Sequence, residues 1–516
     1  MKEKIGRAQV LAAAAVLRKY KEGKAVLDKR IVSNEQWWKM RHWAEIGYEP
    51  DDTRPQPASA WLFNSIANKH ADAMDNIPEP SVLPREQGDE ECARQLSLLL
   101  PAVLERCGFE KLYSDGWWYK LKNGTACQAV VWDPALEDGR GDIAIRNVDI
   151  LNLFWQPGIK ELEESANLFY VSLVDKEQLR EMYPGLKDGI SEETVNVEKY
   201  RTDDRTDDSG KAEVVDWYYK KTAGGKKILH YCRFCGDKVL YSSEDDESCK
   251  DGFYSHGRYP FVIDPLFTQE GTPCGFGYID VMRDAQTYID KLSQVVLEHT
   301  VQMSRKRYFI RQNSAVNEAE FADRRNMFVH VAGSLTNDDI RETEPLDSAV
   351  MSALSFKIDE LKETSGNRDF SQGSTSGGVT AASAIAALQE AGSKLSRDMI
   401  KGTYFAFQQV CYLIIELIRQ FYDTPRSFRI TGGYAAFDNS EIKSRREELF
   451  GVELGEKKPV FDIVCTAAKQ LFQLGFFNPD MAVQALGCLE MMDFEGKESV
   501  ERTIREGAGM TQKNMI

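Results

Sequence analysis

Four residues of the sequence have the chemistry of metal ligands. Cys232 and Cys235 have the separation of a zinc knuckle, and Cys249 and His256 follow them. Thiolates and imidazoles bind Zn²⁺ tetrahedrally, so these side chains suggest a zinc ribbon that binds nucleic acid. The second pair lacks knuckle spacing, however. The same stretch also predicts a β-hairpin with its turn at residues 236–237, and we favour this metal-free hairpin.

A second unusual stretch is rich in Gly, Ser and Thr and spans residues 366–378. It carries no charge from Ser371 to Ser383. Glycine permits backbone angles that other residues avoid, so we expect a mobile loop between two helices. Two interpretations remain open from these residues alone: a flexible linker, or a loop that contacts a partner without binding it tightly.

Signals for catalysis are weak. Gly373 to Gly377 has the spacing of a nucleophile elbow, but Thr375 takes the serine position and the flanking patterns are helical. A Walker A motif is missing from the sequence, and its six histidines do not have the spacing of a metalloprotease. We therefore expect neither a cofactor nor enzymatic activity. An unrecognised hydrolase is the enzymatic alternative.

The composition is that of a soluble protein long enough for several domains. The chain has 516 residues and a net charge of −16, which argues against a tight, histone-like grip on DNA. Its ten cysteines are scattered, which indicates reduced thiols in a cytoplasm. The apolar run 410–415 is too short to span a bilayer, and residues 11–17 predict an amphipathic helix rather than a signal peptide.

Two regions of different character precede residue 273. Residues 1–110 are mostly helical by pattern: a capping box at Ser33 and Gln36 predicts one helix start, 61–74 and 88–107 predict further helices, and the prolines at 78, 80 and 84 predict an extended connection. Residues 111–270 predict strands separated by turns. The predicted strands are 117–122, 126–132, 143–147, 168–173, 214–220 and 228–241.

A long helix with a heptad seam begins at Tyr278. Apolar residues recur at alternating steps of four and three as far as Met303, so the helix should be about 40 Å long and should pack along this seam. The seam residues that we expect to contact a neighbouring subunit are Met282, Ile289, Leu292 and Val296. A basic run follows the helix, consisting of Arg305, Lys306 and Arg307, with Arg311 just beyond.

The remaining pattern is a small insert followed by helices. Residues 307–311 and 327–331 predict strands, 317–325 predict a helix, and a second seam helix begins at Asp347. After the Gly/Ser/Thr loop, Thr380 caps a helix that runs to about residue 422, with Gly392 and Gly402 as kink points. Strands are expected at 427–430 and 460–465, and helices at 467–474, 479–491 and 497–506.

This order of parts resembles the portal proteins of tailed bacteriophages over nearly the whole chain. The resemblance is carried by the segment 259–262 before Gly275-Phe276-Gly277, the two seam helices, the insert between them and the loop after them. It implies an α+β portal-type fold. The implied parts are a mixed wing (1–272), a first stem helix (273–303), an α/β clip (304–346), a second stem helix (347–365), a mobile tunnel loop (366–379), a long kinked helix with wing strands (380–466) and a helical crown (467–516).

The resemblance also implies a function. Portal subunits form a ring, usually a dodecamer, at one capsid vertex of the virion after assembly in the host cytoplasm. Double-stranded DNA passes through the ring non-specifically in packaging and ejection. Expected partners are terminase, a head-to-tail adaptor, and capsid and scaffolding proteins, without a membrane. Arg305, Lys306, Arg307 and Arg311 would dock partners at the clip. The residues that would line the channel are Ser371, Gln372, Gly373, Ser374, Thr375, Ser376, Gly377 and Gly378.

Overall fold

The computed structural model describes most of the chain as far as residue 457. The described residues are 5–47, 54–84, 90–184, 197–200, 210–223, 226–249, 252–304, 308–310, 317, 319–320, 333, 340–342, 346–366, 394–423, 426–430, 433–437, 450–457, 485–486 and 504. The chain divides into two compact units. The first comprises Met1–His70 and Cys107–Thr424, and the second comprises Ala71–Arg106 and Pro425–Ile516.

Helices and strands are mixed along the chain, so the predicted α+β class is confirmed. The helices are α1 Arg7–Trp38, α2 His42–Ile46, α3 Trp61–Met74, α4 Glu90–Arg106, α5 Phe109–Asn123, α6 Leu136–Gly139, α7 Lys176–Met182, α8 Tyr278–Ser304, α9 Ser348–Ser365 and α10 Lys394–Phe421. The strands are β1 Ile77–Pro84, β2 Thr125–Asp133, β3 Asp142–Asn147, β4 Leu153–Trp155, β5 Asn167–Asp175, β6 Lys211–Ala223, β7 Lys226–Cys235, β8 Lys238–Ser242, β9 Phe261–Pro265, β10 Tyr308–Ile310, β11 Ile340–Glu342, β12 Arg426–Ile430, β13 Gly433–Phe437 and β14 Phe450–Lys457.

Among its described residues, the first unit contains two antiparallel sheets of three or more strands and the two-stranded ladder β10–β11. One is a five-stranded meander in the order β4-β5-β6-β7-β8, and the other has the order β3-β2-β9. Helix α1 packs on the meander because Val10, Ala13, Leu17 and Tyr20 recur at helical spacing and form one apolar stripe. This stripe is buried together with residues from the strands, among them Phe169 of β5.

A buried lysine ties α1 to the start of the meander. The Lys24 ammonium donates to the carbonyls of Ile150 at 2.5 Å and Leu153 at 2.8 Å, and it pairs with Asp28 at 3.1 Å. It also lies 4.2 Å from the ring centroid of Phe154. Burial lowers the pKa of Lys24, and the Asp28 carboxylate opposes that effect. The carbonyl groups and the Asp28 carboxylate accept from the Lys24 side chain, which offsets part of the cost of burying it.

The second unit is built around paired strands. β1 and β14 are antiparallel, with Ile77 opposite Lys457, and β12 and β13 form a hairpin. Helix α4 packs on β1. The Ser97 hydroxyl accepts from the Val82 amide at 2.9 Å and donates to the Val82 carbonyl at 3.2 Å. The extended connection predicted from the prolines is therefore a strand.

Two predictions of local structure were wrong. Residues 117–122 form part of α5 rather than a strand, because Tyr113, Trp117 and Leu121 recur at helical spacing on its buried side. Ser33 does not begin a helix. It lies inside the continuous α1, where its hydroxyl donates to Glu45 at 2.7 Å. The other predicted strands before residue 250 are confirmed, with 228–241 forming the β7–β8 hairpin.

Three glycines allow the backbone to pass closely where α5 ends and α8 begins. Gly124 ends α5 with φ of 85°, and a Cβ atom there would lie 2.3 Å from the Phe276 carbonyl carbon. A Cβ at Gly275 would lie 2.4 Å from the Phe267 carbonyl oxygen, and one at Gly277 would lie 2.7 Å from the Gly124 nitrogen. The Gly-Phe-Gly sequence is therefore needed for backbone-to-backbone packing at the start of α8.

This contact predicts that Gly124→Ala is much more damaging than a matched substitution. Gly158 has nearly the same φ, 84°, but has no atom within 4 Å of the Cβ position. Gly158→Ala should cost about 1 kcal/mol of backbone strain, whereas Gly124→Ala should cost about 3 kcal/mol or more because backbone atoms must also move. Thermal or urea unfolding of both variants measures the difference. Equal losses would contradict the packing described here.

Candidate functional site

Helix α8 is anchored firmly at its first turn. The Asp280 carboxylate accepts from the Gly277 amide at 2.9 Å, which caps the helix start. The same carboxylate accepts from the Asn34 amide of α1 at 3.0 Å. The Arg30 guanidinium donates to the Gly275 carbonyl at 2.6 Å. These contacts join the start of α8 to α1.

A row of buried polar residues holds the next three turns of α8. Gln286, Asp290 and Gln294 follow one another at intervals of four, and each is buried. Gln286 donates to the Ser59 carbonyl at 3.0 Å, and Asp290 accepts from the Ser59 amide at 3.1 Å. The other Asp290 oxygen lies 2.5 Å from His42 Nδ1. This half of α8 therefore belongs to the core of the first unit.

The predicted seam is used partly within the chain. Met282 and Ile289 are buried by the chain itself, so they are not available to a neighbouring subunit, and this part of the prediction needs correction. Leu292 and Val296 are only half-buried and remain candidates for that contact. Met282 and Ile289 are buried because the first turns of α8 are anchored to the core of the first unit.

A different face of α8 is apolar and exposed. Val281, Tyr288 and Val295 are spaced by seven residues, and we call them the α8 stripe. The Tyr288 side chain is 48% exposed, although the Lys357 ammonium of α9 lies 5.4 Å from its ring centroid. From Val295 onward, none of the described side chains of α8 is buried. A heptad of exposed apolar residues is the pattern of a helix that packs against another helix.

Helix α9 packs on α8 but is poorly covered. Of its 18 residues, only Leu361 and Ser365 are buried. Met351 and Phe356 are exposed, Phe356 by 66%. The helix begins where predicted, with Asp347 as its cap accepting from the Ala349 amide at 3.0 Å. The pair α8–α9 therefore has apolar surface on the outside and little core of its own.

The short β10–β11 ladder lies between α8 and α9 in sequence. Its strands pair antiparallel, with Phe309 opposite Arg341, and the strand expected at 307–311 is confirmed at β10. The proposed docking residues Arg305, Lys306, Arg307 and Arg311 lie outside the described residues. The proposed channel residues, Ser371 to Gly378, also lie outside them, as do most of the expected helical tail and the strands at 327–331 and 460–465.

A buried ion pair fixes the long helix α10 to the sheets of the first unit. The Lys120 ammonium of α5 donates to Asp264 of β9 and to the Thr403 hydroxyl of α10, each at 2.6 Å. Burial lowers the pKa of Lys120, and the Asp264 carboxylate opposes that effect. Just beyond α10, the Tyr422 hydroxyl donates to Asp142 at 2.8 Å. The helix is therefore held about a third of the way along, at Thr403, and again just beyond its last residue.

The four metal-ligand candidates are not brought together as a site. Cys232 lies in the core under α1, whereas Cys235 lies in a separate cluster with Leu179 and Val214. The Cys249 sulfur is 3.7 Å from the Tyr241 hydroxyl. In the part of the chain that the structure describes, no three His, Cys, Asp or Glu side chains are placed to bind a metal. Burial raises the pKa of the Cys232 thiol to about 12, which disfavours the thiolate.

Sequence reasoning missed the features that are most informative here. The spacing of seven at Val281, Tyr288 and Val295 was a detectable signal, but the stronger apolar series beside it obscured it. The buried pairing of His42 with Asp290 gives no local signal, since the two residues are 248 positions apart.

In the described ranges, no helix is both long and apolar enough to cross a membrane.

The described residues show an α+β unit followed by two long helices, with a short β-ladder between these helices in the sequence. A family model matches this sequence. The model is described as phage P22-like portal protein, and it matches residues 70–435. Because the match covers more than two thirds of the chain, the chain belongs to this family. No curated protein matched the sequence.

The positions of the cysteines predict how their substitution acts. Cys232→Ser places a hydroxyl in an apolar core and should destabilise the protein by about 1–3 kcal/mol. Cys249→Ser is the matched control, because Cys249 is half-buried and should change stability by less than about 0.5 kcal/mol. Thermal unfolding before and after dialysis against a chelator provides the measurement. Equal damage by both variants, with loss of bound zinc, would instead establish a zinc ribbon.

Proposed function

We propose that this chain is the subunit of a portal ring at one capsid vertex of a tailed phage. Family membership supports the class, and the exposed apolar surface of α8 and α9 supports the ring. A helix pair with so few buried residues gains stability when neighbouring copies cover it. In this proposal the α8 stripe, with Leu292 and Val296, packs against the next subunit. A closed ring, usually a dodecamer in this family, leaves a central channel.

The charge of the chain suits a channel for DNA. The net charge of −16 disfavours strong binding to phosphates, so double-stranded DNA can slide during packaging and ejection. Contacts from Ser371 to Gly378 would add no cation, and these residues cannot read base edges in a bidentate way. We therefore propose that this tunnel loop contacts DNA weakly and without sequence preference.

The proposed partners follow from the ring. Arg305, Lys306, Arg307 and Arg311 form a basic cluster after α8, and we assign it to docking of terminase during packaging and of the head-to-tail adaptor afterwards. Capsid and scaffolding proteins would hold the ring at its vertex in the virion, after assembly in the host cytoplasm. The portal itself is a structural protein and not an enzyme in this proposal, so the energy for DNA movement comes from the partner motor.

The ring proposal predicts that a charge in the α8 stripe prevents assembly. Tyr288→Asp should place a charged carboxylate in each apolar subunit contact, at a cost of about 2–4 kcal/mol per contact. Val26→Asp is the matched control, since Val26 on α1 is 83% exposed and lies outside the stripe. Mass photometry of purified wild type and both variants measures the oligomer.

We expect rings for wild type and for Val26→Asp, and monomers or small oligomers for Tyr288→Asp. Circular dichroism should show unchanged helix content in all three, because Tyr288 is not part of the subunit core. Intact rings of Tyr288→Asp would contradict the proposed interface, and a wild type that stays monomeric at high concentration would contradict the ring.

The channel proposal predicts that a single lysine in the tunnel loop slows the movement of DNA. Ser374→Lys adds one cation per subunit beside the phosphates, so it should slow packaging and ejection, most strongly at low salt. Ser374→Gly is the control and should behave like wild type. Packaging and ejection assays over a range of salt concentrations measure the effect. If the lysine variant forms rings and moves DNA like wild type at low salt, the segment is a passive linker.

A further inference from the structure

The helix pair α8–α9 exposes apolar residues on two opposite sides. One side carries the α8 stripe, of which Val295 is the last residue. Leu297 is only two residues further, which places it about 200° around the helix from Val295 and about 3 Å further along it. The Val295 side chain is 44% exposed and that of Leu297 is 43% exposed. A helix that is covered on one side needs apolar residues only there, so the second set indicates a second contact.

Phe356 of α9 belongs to the same side as the α8 stripe. The Lys357 ammonium lies 5.4 Å from the ring centroid of Tyr288 and 6.0 Å from that of Phe356. The same ammonium pairs with the Glu360 carboxylate at 2.6 Å. Its charge is therefore balanced within the chain, and the surface around it is mainly aromatic and aliphatic. We call the α8 stripe together with Phe356 the stripe side.

The opposite side of α8 is covered by the chain itself over the first turns. Gln286 accepts from the Leu62 amide at 3.2 Å. About two turns later, Gln294 donates to the Pro55 carbonyl at 2.9 Å. The segment 55–62 therefore runs along this side of α8 and provides hydrogen-bond partners for its polar side chains.

Apolar residues continue this side of α8 beyond the segment 55–62. Leu297 comes eleven residues after Gln286, and eleven residues are close to three helical turns, so the two lie on the same side of the helix. Val301 follows about one turn later and is 55% exposed. The side that the chain covers near Gln286 is therefore apolar and exposed further along the helix.

Met351 of α9 extends the same side. It comes eleven residues before Lys362, so these two residues also share one side of their helix. The Lys362 ammonium lies 5.4 Å from the ring centroid of Trp61, which belongs to the covering segment 55–62. Met351 is exposed. We call the following residues the far side of the helix pair: Leu297, Val301 and Met351.

The two sides have apolar residues at the same level along the helix pair. Helices α8 and α9 run in opposite directions, because β10, just after α8, pairs with β11, just before α9. The contact of Lys357 with Tyr288 sets their register. Met351 is six residues from this contact along α9, and Val295 is seven residues from it along α8, toward the same end. Both therefore lie about 10 Å beyond the contact, close to the level of Leu297.

We propose that the stripe side of one subunit packs against the far side of the next subunit in the ring. The occupant of each side is a second copy of this chain. Rotation about the ring axis keeps each residue at its level along that axis, so with the helix pair along the axis Val295 of one copy meets Leu297 and Met351 of its neighbour. The inference rests on the proposed ring and names the two surfaces that close it.

An isologous dimer fits these surfaces less well. Two copies related by a two-fold axis would pack the stripe side on itself and would leave the far side in water. A contact between unlike sides removes both apolar sets from water in every copy. It also needs no ion pair between copies, because the Lys357 charge on the stripe side is balanced by Glu360.

Disulfide cross-linking in assembled rings tests which sides meet. One double variant carries Val295→Cys with Leu297→Cys, and another carries Val295→Cys with Met351→Cys. We expect oxidation to give a ladder of covalent oligomers on non-reducing gels, because each copy is then linked to the next through unlike sides. Each single variant should remain monomeric on the gel. Positions 295 and 297 of one helix point in opposite directions, so they cannot bridge within a copy.

The cross-linking has two controls. Val26→Cys is the matched variant, because Val26 is 83% exposed but lies on α1, outside both sides. Wild type gives the background from the native cysteines, of which only Cys107 and Cys249 among the described residues are not buried. Mass photometry of each variant before oxidation confirms that rings have formed.

Two blocked variants give a second test without added cysteines. Tyr288→Asp blocks the stripe side and Leu297→Asp blocks the far side, so neither variant should form rings alone. Mixed in equal amounts, they should form heterodimers and nothing larger, because one intact stripe side and one intact far side remain for each pair. Sedimentation velocity measures the mixture, and circular dichroism confirms that each variant is folded.

Two results overturn the proposal while leaving the ring in place. One is a covalent dimer of Val295→Cys alone together with unchanged rings of Leu297→Asp, which would show that the stripe side packs on itself. The other is intact rings in which both double variants cross-link no more than Val26→Cys. A wild type without rings would instead overturn the proposed function, and this inference with it.

Discussion

The close backbone contact between Gly124 and the Gly275–Gly277 segment determines how α8 leaves the core of the first unit. The Leu266 amide donates to the Gly124 carbonyl at 2.8 Å, and Phe267 and Phe276 bridge as an antiparallel pair beside it. Main-chain atoms on both sides leave no room for a side chain at this place. The first turn of α8 is therefore placed by backbone geometry, which side-chain repacking cannot easily change.

This anchoring divides α8 into two parts, residues 278–294 and 295–304, which differ in how their side chains are buried. The first part is joined to the core by the Asp280 cap and by the polar row that ends at Gln294. The buried polar side chains of this part form hydrogen bonds with other groups of the first unit. The second part, residues 295–304, has no buried side chain among its described residues, and α9 beside it buries only two. Apolar residues on the outside of such a pair are stabilised when copies of the chain pack together. In the proposed ring, the anchored first turns of α8 would hold each subunit in place, and the uncovered later turns would contact the next subunit.

The sequence predicts much of this arrangement, because strong periodicity survives tertiary packing. The α8 boundaries, the Asp347 cap of α9, the helix at 61–74 and the β7–β8 hairpin follow from local patterns. The error at 117–122 arose because Trp and Tyr favour strands by propensity, whereas burial of Trp117 and Leu121 on one side of α5 decides for the helix.

Other features depend on residues far apart in the chain and cannot be predicted locally. The seam at Met282 and Ile289 has the correct period, but the period does not tell whether the partner is the same chain or a neighbour. The Lys120–Asp264 pair joins residues 144 positions apart, and the stack of His70 on Trp118 joins α3 to α5. Such contacts arise only from the tertiary fold, which a single sequence does not reveal.

Cryo-electron microscopy of the purified wild-type protein tests the central claim most directly. The account predicts closed rings with a central channel, in which Val281, Tyr288 and Val295 of one subunit contact the next subunit. Rings in which these three side chains face solvent would contradict the proposed interface. Particles without a channel would contradict the account as a whole.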